Sequence, residues 1–300
     1  MHRGNRHPRV RPLFRDERGS DRRDRGEVLA RRVGRAFVAR RKWGQHFLAP
    51  EWAEKVVEAI APCADDRFLE IGPGPGALTL RLAPRVARLT AIEVDRDLAA
   101  ALAPRLPAHV TLVTGDVLDL DLTPFLAGGP VRVAGNLPYN ISSPILFKLF
   151  AAADKKGLSP FRDATLMLQR EVADRLVAAP GTRDYGVLTI FTAVQADVER
   201  LLILPPGAFR PAPKVHSAVV RLSFRSPAVR PELFPVFEPM VRTMFMQRRK
   251  VLLNALRRYA EEIGADASRA LAAARIDPTR RPETLQVSEL SKLAEVFASR

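Results

Sequence analysis

EIGPGPGA, residues 70–77, is the stretch that decides the fold. The apolar run FLEIG (68–72) reads as a short strand and ALTLRLAPRV (77–86) as the next helix, so the glycines occupy a strand-to-helix turn. Glycines there let the backbone approach a ligand closely, and the first N–H groups of a helix lack intrahelical acceptors. Glu93 lies 21 residues after Gly72, at the end of the next apolar run, where a carboxylate can accept hydrogen bonds from ribose hydroxyls. Gly72-x-Gly74-x-x-Ala77 also fits a nicotinamide dinucleotide fingerprint. Up to residue 93 the sequence therefore permits a dehydrogenase, and equally a tight turn that holds no ligand.

On both sides of this turn the pattern alternates. PEWAEKVVEAIA (50–61) reads as a helix with Pro50 in its first position and Glu51 in its first turn. Strands are predicted at LTAIEVD (89–95), VTLVTGD (110–116), VRVAGNLP (131–138), ATLMLQ (164–169) and ERLLILP (199–205), with a helix at 96–103. Strands alternating with helices predict a doubly wound α/β sheet that is mainly parallel. SAVVRLSF (217–224) follows its predecessor through the short PPGAFRPAPKVH connection, with no helix between, and is expected to be antiparallel. From about residue 226 the strand signal stops, and 236–260 and 266–298 read as helices interrupted by Gly264 and IDPTRRPE (276–283). The expected organisation is a segment 1–40, an α/β domain 41–225 and a smaller helical domain 226–300.

Composition narrows the function. Across 300 residues, 47% apolar content suffices for a core, and the apolar runs are too short for a membrane span. The single cysteine, Cys63, excludes an internal disulfide and any metal site built from several thiolates, and fits a reducing cytoplasm. The net charge of +15 points to a polyanionic partner, nucleic acid before membrane, although a basic surface also serves solubility. Residues 1–40 hold 13 Arg and 5 acids, a net of +8, with no helical or strand period. That segment reads either as a disordered basic arm or as an artefact of an upstream start codon.

Two further features lie at strand ends. Asp116 ends the third strand and can accept from an adenine amino group, though loop aspartates commonly cap helices. AGNLPYNISSPI (134–145) ends the fourth and places Asn136, Leu137, Pro138 and Tyr139 at the sheet edge where ligands bind. The Asn carbonyl and a main-chain carbonyl can accept both hydrogens of an exocyclic amine while the Tyr139 ring stacks on the base. A plain turn with a buried tyrosine is the alternative.

RKWGQHFL (41–48), LEIGPGPGALT (69–79), IEVD (92–95), GDVLDLDL (115–122), NLPYNISSPILFKLF (136–150), LQREVADRLVAAPGTRDYG (168–186), FRPAPKVHSAVVRL (209–222) and QRRKVLLNAL (247–256) occur in this order. Together they resemble the bacterial small-subunit (16S) rRNA adenine N6,N6-dimethyltransferases over about residues 40–300. The resemblance implies a Rossmann-like S-adenosylmethionine-dependent methyltransferase sheet with a smaller C-terminal helical domain. It implies transfer of methyl groups to N6 of two adjacent adenosines in the 3′-terminal hairpin of 16S rRNA during small-subunit maturation, by a monomer that needs no metal. Position by position it implies His46, Leu48, Gly72, Glu93, Asp116 and Asn136 as cofactor residues. Asn136, Leu137, Pro138 and Tyr139 would form the target-amine pocket, with Phe209 on the second face of the base. The family usually has Asn where His46 stands and Asp where His216 stands, and position 216 is left out of the site.

Arg242, Arg249, Lys250 and Arg257 fall within an arc of about 100° if 236–260 is one helix, a stripe able to track phosphates or simply a solvated face. Two other readings remain. One is an erythromycin-resistance-type methyltransferase of large-subunit rRNA. The other is a ribosome-assembly or nucleic-acid-binding factor whose catalysis is secondary or lost.

Overall fold

The computed structural model describes residues 45–152 and 159–299. The basic segment 1–40 lies outside the described residues. Nine strands are described: β1 (Phe47–Leu48), β2 (Arg67–Ile71), β3 (Arg88–Glu93), β4 (Val110–Thr114), β5 (Val131–Asn136), β6 (Phe161–Gln169), β7 (Ala196–Leu204), β8 (Phe209–Arg210) and β9 (Ser217–Phe224). The helices are α1 (Pro50–Ile60), α2 (Thr79–Leu82), α3 (Arg96–Leu102), α4 (Thr123–Leu126), α5 (Ser142–Ala151), α6 (Arg170–Leu176) and α7 (Val187–Gln195). After the sheet come α8 (Phe234–Met246), α9 (Leu252–Glu262), α10 (Ala267–Ala274) and α11 (Val287–Ala298).

The main sheet has the order β4-β3-β2-β5-β6-β9-β7. Strands β2 to β6 pair in parallel. Strand β9 is antiparallel to both β6 and β7 and sits between them. The antiparallel last strand expected from its short connection is therefore present, inserted before its predecessor. Strands β2 and β5 are buried at almost every position, so they read as apolar runs without alternation. The chain reverses between β2 and β5, and a ligand crevice opens at the C-terminal strand ends on either side of such a switch point.

One apolar core fills one face of the sheet, and α8 to α11 share it with α5 to α7. Phe191 on α7 meets Phe237 on α8 at 6.0 Å, and the Tyr185 hydroxyl donates to the Leu285 carbonyl at 2.7 Å. A second core packs α1 against β2, β3 and Phe209. Along α1, Ala53, Val56, Val57 and Ile60 form the buried stripe.

The expected helix 236–260 is not continuous. Helix α8 stops at Met246 and α9 starts at Leu252. Nothing in Gln247–Val251 is a glycine or proline. The break is imposed from outside: the Leu252 and Leu253 N–H groups donate to the carbonyls of Arg280 and Pro278, and Arg248 pairs with Glu283.

Candidate active site

The glycine turn is built as its sequence demands. Gly72, Gly74 and Gly76 have φ of +72°, +55° and +92°, the left-handed region that disfavours side chains. At Gly76 an added Cβ would lie 2.6 Å from Leu102, whereas at Gly72 it would meet only the Asn136 carbonyl, at 3.8 Å. Gly76 is thus required for packing, and Gly72 keeps an open approach. The helix expected after the turn is short, with α2 giving way to a 3-10 turn at Ala83–Arg85.

The turn forms one side of a cleft at the C-terminal strand ends, where ligands bind in such sheets. Its walls include His46, Leu48, Glu70, Gly72, Glu93, Asn136, Leu137, Pro138 and Tyr139. Glu93 is 3% exposed and uses both oxygens on main chain: Oε2 accepts from Gly74 N–H at 2.8 Å and Oε1 from Asp95 N–H at 2.9 Å. Burial raises its carboxyl above the usual range against those two donors, with Asp95 adding to the rise.

Asn136 closes β5. Its Nδ2 donates to the His46 carbonyl at 2.7 Å, which fixes the amide and leaves Oδ1 as the side chain's acceptor. The Tyr139 hydroxyl is 2.6 Å from Ser217 Oγ, and burial raises its pKa. The His46 ring stacks on Tyr139 with centroids 5.3 Å apart and planes 27° apart, and His46 Nδ1 is 2.7 Å from the Pro211 carbonyl. Strand β1 pairs with β8, opposing Phe47 to Arg210 and Leu48 to Phe209, which anchors this segment over the cleft.

Asp116 Oδ1 accepts from Leu118 N–H at 2.9 Å and holds the turn after β4. Two expectations are corrected. Phe209 has no exposed surface: its pairing with Leu48 turns the ring into the second core, away from the second face of any base. The four basic residues do not form a helical stripe. Arg242 pairs with Glu238 at 2.8 Å and covers the Phe147 ring at 4.7 Å, while Arg257 donates to Asn254 at 3.0 Å. Arg249 and Lys250 lie exposed in the turn between α8 and α9, lining a second cleft with Arg183 and Arg281 beside exposed Met246.

One wall residue was not foreseen. Glu70 is 1% exposed, and its Oε2 has no hydrogen-bond partner. Burial pushes its carboxyl up to about 8, the Thr79 hydroxyl and N–H opposing and nearby Glu93 adding to the rise. The signal was present in the sequence as a lone acid inside the apolar run FLEI. No lysine or arginine is among the residues lining this cleft. Two buried acids and a glycine cradle with an open side suit a cationic ligand that carries a ribose. Among the described residues, no group of His, Cys, Asp and Glu is arranged to hold a metal.

Residues 36–298 match the family model described as ribosomal RNA adenine dimethylase. The protein named ribosomal RNA small subunit methyltransferase A of Syntrophotalea carbinolica is 44% identical over 264 residues, 86% of this chain and 96% of its own length. The protein of the same name from Bordetella pertussis is 44% identical over 270 residues, 87% of this chain and 95% of its own. Among solved structures, a dimethyladenosine transferase from Plasmodium falciparum superposes with a TM-score of 0.68 at 24% identity, covering 85% of this chain and 98% of that one. The 23S rRNA methyltransferase ErmE follows at 0.60 and 26% identity, covering 84% and 99%.

Proposed function

The chain belongs to the ribosomal RNA adenine dimethylase family, and from that premise we propose that its targets are two adjacent adenosines of the 3′-terminal hairpin of 16S rRNA. The activity is S-adenosylmethionine-dependent dimethylation of adenine in 16S rRNA. The further reading is of a cytoplasmic monomer acting on a small-subunit precursor. No described helix is long and apolar enough to cross a membrane. The observation that carries the site assignment is the Asn136 amide, with its nitrogen committed to the His46 carbonyl and its oxygen left to accept.

S-adenosylmethionine supplies, when bound, an electrophilic methyl group on a positively charged sulfur. His46, Leu48, Gly72, Glu93 and Asn136 would hold it, Glu93 toward the ribose hydroxyls and the glycine turn along its length. Adenine N6 is a poor nucleophile because its lone pair is delocalised into the ring. Asn136 Oδ1 and a neighbouring main-chain carbonyl accept its two hydrogens and favour a more tetrahedral nitrogen, which frees the lone pair for attack. The remainder is alignment of nitrogen, methyl and sulfur, the kind of positioning worth several orders of magnitude in rate. Leu137 and Pro138 set the rigid turn. Tyr139, fixed from behind by Ser217, stacks on the base extruded from the RNA. A base between two rings needs them roughly 7 Å apart, two carbon contact distances, so His46 at 5.3 Å moves aside as the base enters.

RNA is gripped at the α8–α9 turn, through Arg249 and Lys250 with Arg183 and Arg281, rather than along a helical face. Arg242 and Arg257 are held by protein partners. The large-subunit alternative has weaker support, since identity to ErmE is 26% against 44% to the small-subunit relatives. The test is methyl transfer to unmodified 30S particles compared with 50S particles and naked DNA. Transfer confined to 30S particles is expected; preferential transfer to 50S particles overturns the target, and no transfer to any of them overturns catalysis.

A further inference from the structure

Met246 stands apart from the other exposed apolar side chains described. It is 75% exposed, whereas Val177, Ile203, Val215 and Ile263 keep more than half of their surface covered. It closes α8, whose buried stripe runs through Phe237, Met240, Val241 and Met244. At 100° per residue Met246 falls about 200° from Met244, on the opposite side of the helix. The packing of α8 does not call for an apolar residue there. A single exposed apolar residue is ordinary by itself, so its surroundings decide its meaning. Met246 shares the second cleft with Arg183, Arg248, Arg249, Lys250 and Arg281, against one acid, Glu283. Arg248 is engaged by Glu283 and by the Thr182 carbonyl. Arg183, Arg249, Lys250 and Arg281 are exposed and have no acidic partner among the described residues. The cleft therefore combines four free cations with one protruding thioether.

The cations set the partner as a polyanion. A thioether gives nothing to a phosphate, and gains only from an apolar face within reach of phosphates. An RNA duplex does not offer one. Its bases are stacked inside, and its surface is phosphate, ribose hydroxyls and polar base edges. An unpaired nucleotide does offer one, because the flat face of its base is open. An unbranched, polarisable side chain packs well against such a ring. Resting on the reading of the α8–α9 turn as an RNA grip, we propose that Met246 packs on the face of an unpaired base. The turn then docks on a single-stranded loop or bulge, with the four cations on the phosphates either side. The two clefts share no lining residue. The base held here is thus a second nucleotide and not the target adenine.

Peroxide converts an exposed methionine to its sulfoxide and spares a buried one. In the full chain Met246 is the reporter, and Met167, Met240 and Met244, each at most 1% exposed, are internal controls. Oxidation is followed by peptide mass spectrometry in the free protein and at saturation with one of three probes. These are unmodified 30S particles, single-stranded oligouridylate, and an oligoadenylate–oligouridylate duplex. Met246 oxidation is expected to slow at least tenfold with 30S particles and with oligouridylate, and to keep its free rate with the duplex. An unchanged rate in the 30S complex overturns the proposal. Equal protection by the duplex overturns the unpaired base, and protection by 30S particles alone overturns it in favour of a protein contact. Binding to 30S particles gives an independent check. Met246→Ala and Met246→Gln are expected to bind about tenfold more weakly with an unchanged log–log salt slope, and Met246→Leu to recover most of the loss. Arg249→Gln should instead flatten that slope by roughly 0.7–0.9. Wild-type affinity or a flattened slope in Met246→Ala overturns the proposal. If Arg249→Gln changes neither affinity nor slope, the RNA grip on which the proposal rests is what fails.

Discussion

The two ends of the central sheet hold buried charge in opposite ways. At the N-terminal ends of β2 and β5, Arg132 is 4% exposed and lies between Asp66 and Asp163. Its guanidinium reaches Asp66 at 2.7 Å, both oxygens of Asp163 at 3.0 Å, and the carbonyls of Ala61 and Ile60. Burial acts to raise Asp66, but the Cys63 N–H and Arg132 outweigh it and hold that carboxyl below the usual range. At the C-terminal ends of the same strands, Glu70 and Glu93 are equally buried, no cation shares their cleft, and both carboxyls are raised. Matched buried charge belongs to the scaffold, whereas unmatched buried charge is held for a ligand. Four positions separate the two regimes, Asp66 just before β2 from Glu70 within it.

If that division is correct, variants at the two ends must fail differently. Arg132→Ala removes the buried partner of two carboxylates, leaving them only the exposed Arg162 at 3.2 and 3.5 Å, and is expected to lose about 3 kcal/mol of folding stability, read by denaturant unfolding. The surviving folded fraction should methylate 30S particles at a normal rate. Asn136→Ala, at the other end, should leave unfolding within about 0.5 kcal/mol of wild type and lower kcat on the order of 10²–10³, with RNA affinity within a few-fold. Near-normal turnover by this variant would break the pocket assignment. Tyr139→Ala should weaken productive base binding by roughly 1–3 kcal/mol, and Tyr139→Phe much less, measured as kcat/KM on 30S particles.

The smallest effect is the one that sharpens the comparison most, because the two ends should answer pH with opposite sign. Asp66 is depressed on folding, so its contribution is present above about 3.8 and is lost as pH falls through its lower folded value. Glu70 is raised, so its contribution is complete below about 4.5 and is lost as pH rises to about 8. Glu70→Gln should therefore gain Tm relative to wild type between pH 5 and 9. Asp66→Asn should be less stable than wild type at pH 7, with the gap closing toward pH 3. A parallel shift of both variants with pH would remove the distinction.

Much of this was legible in residues 68–136. Buried parallel strands are short apolar runs, glycines mark the left-handed turn, and the acid after the second run marks its end. These are local signals. The misses are tertiary. Phe209 sits in a short turn-rich connection, and only the pairing of two short strands far apart in sequence buries it. The break at Gln247–Val251 carries no turn residue, because the loop near Arg280 takes up the N–H groups of the next helix. Asp116 showed the plainer of its two sequence readings, a turn cap. Glu70 was written in the motif itself but was passed over, since only its unpartnered oxygen separates it from a structural acid.

The insertion of β9 between β6 and β7 has a consequence for synthesis. Chain emerging from a ribosome can lay down β2 to β6 as each appears, for these pair with strands already made. Strand β7 cannot join them, because among the described residues its strand partner is β9, which is made later. Ser217, the residue that holds the Tyr139 hydroxyl, is the first residue of β9. The Tyr139 side of the cleft is thus completed only after residue 217 has been translated, whereas the glycine turn and its anchor Glu93 lie on strands that can pair as they are made.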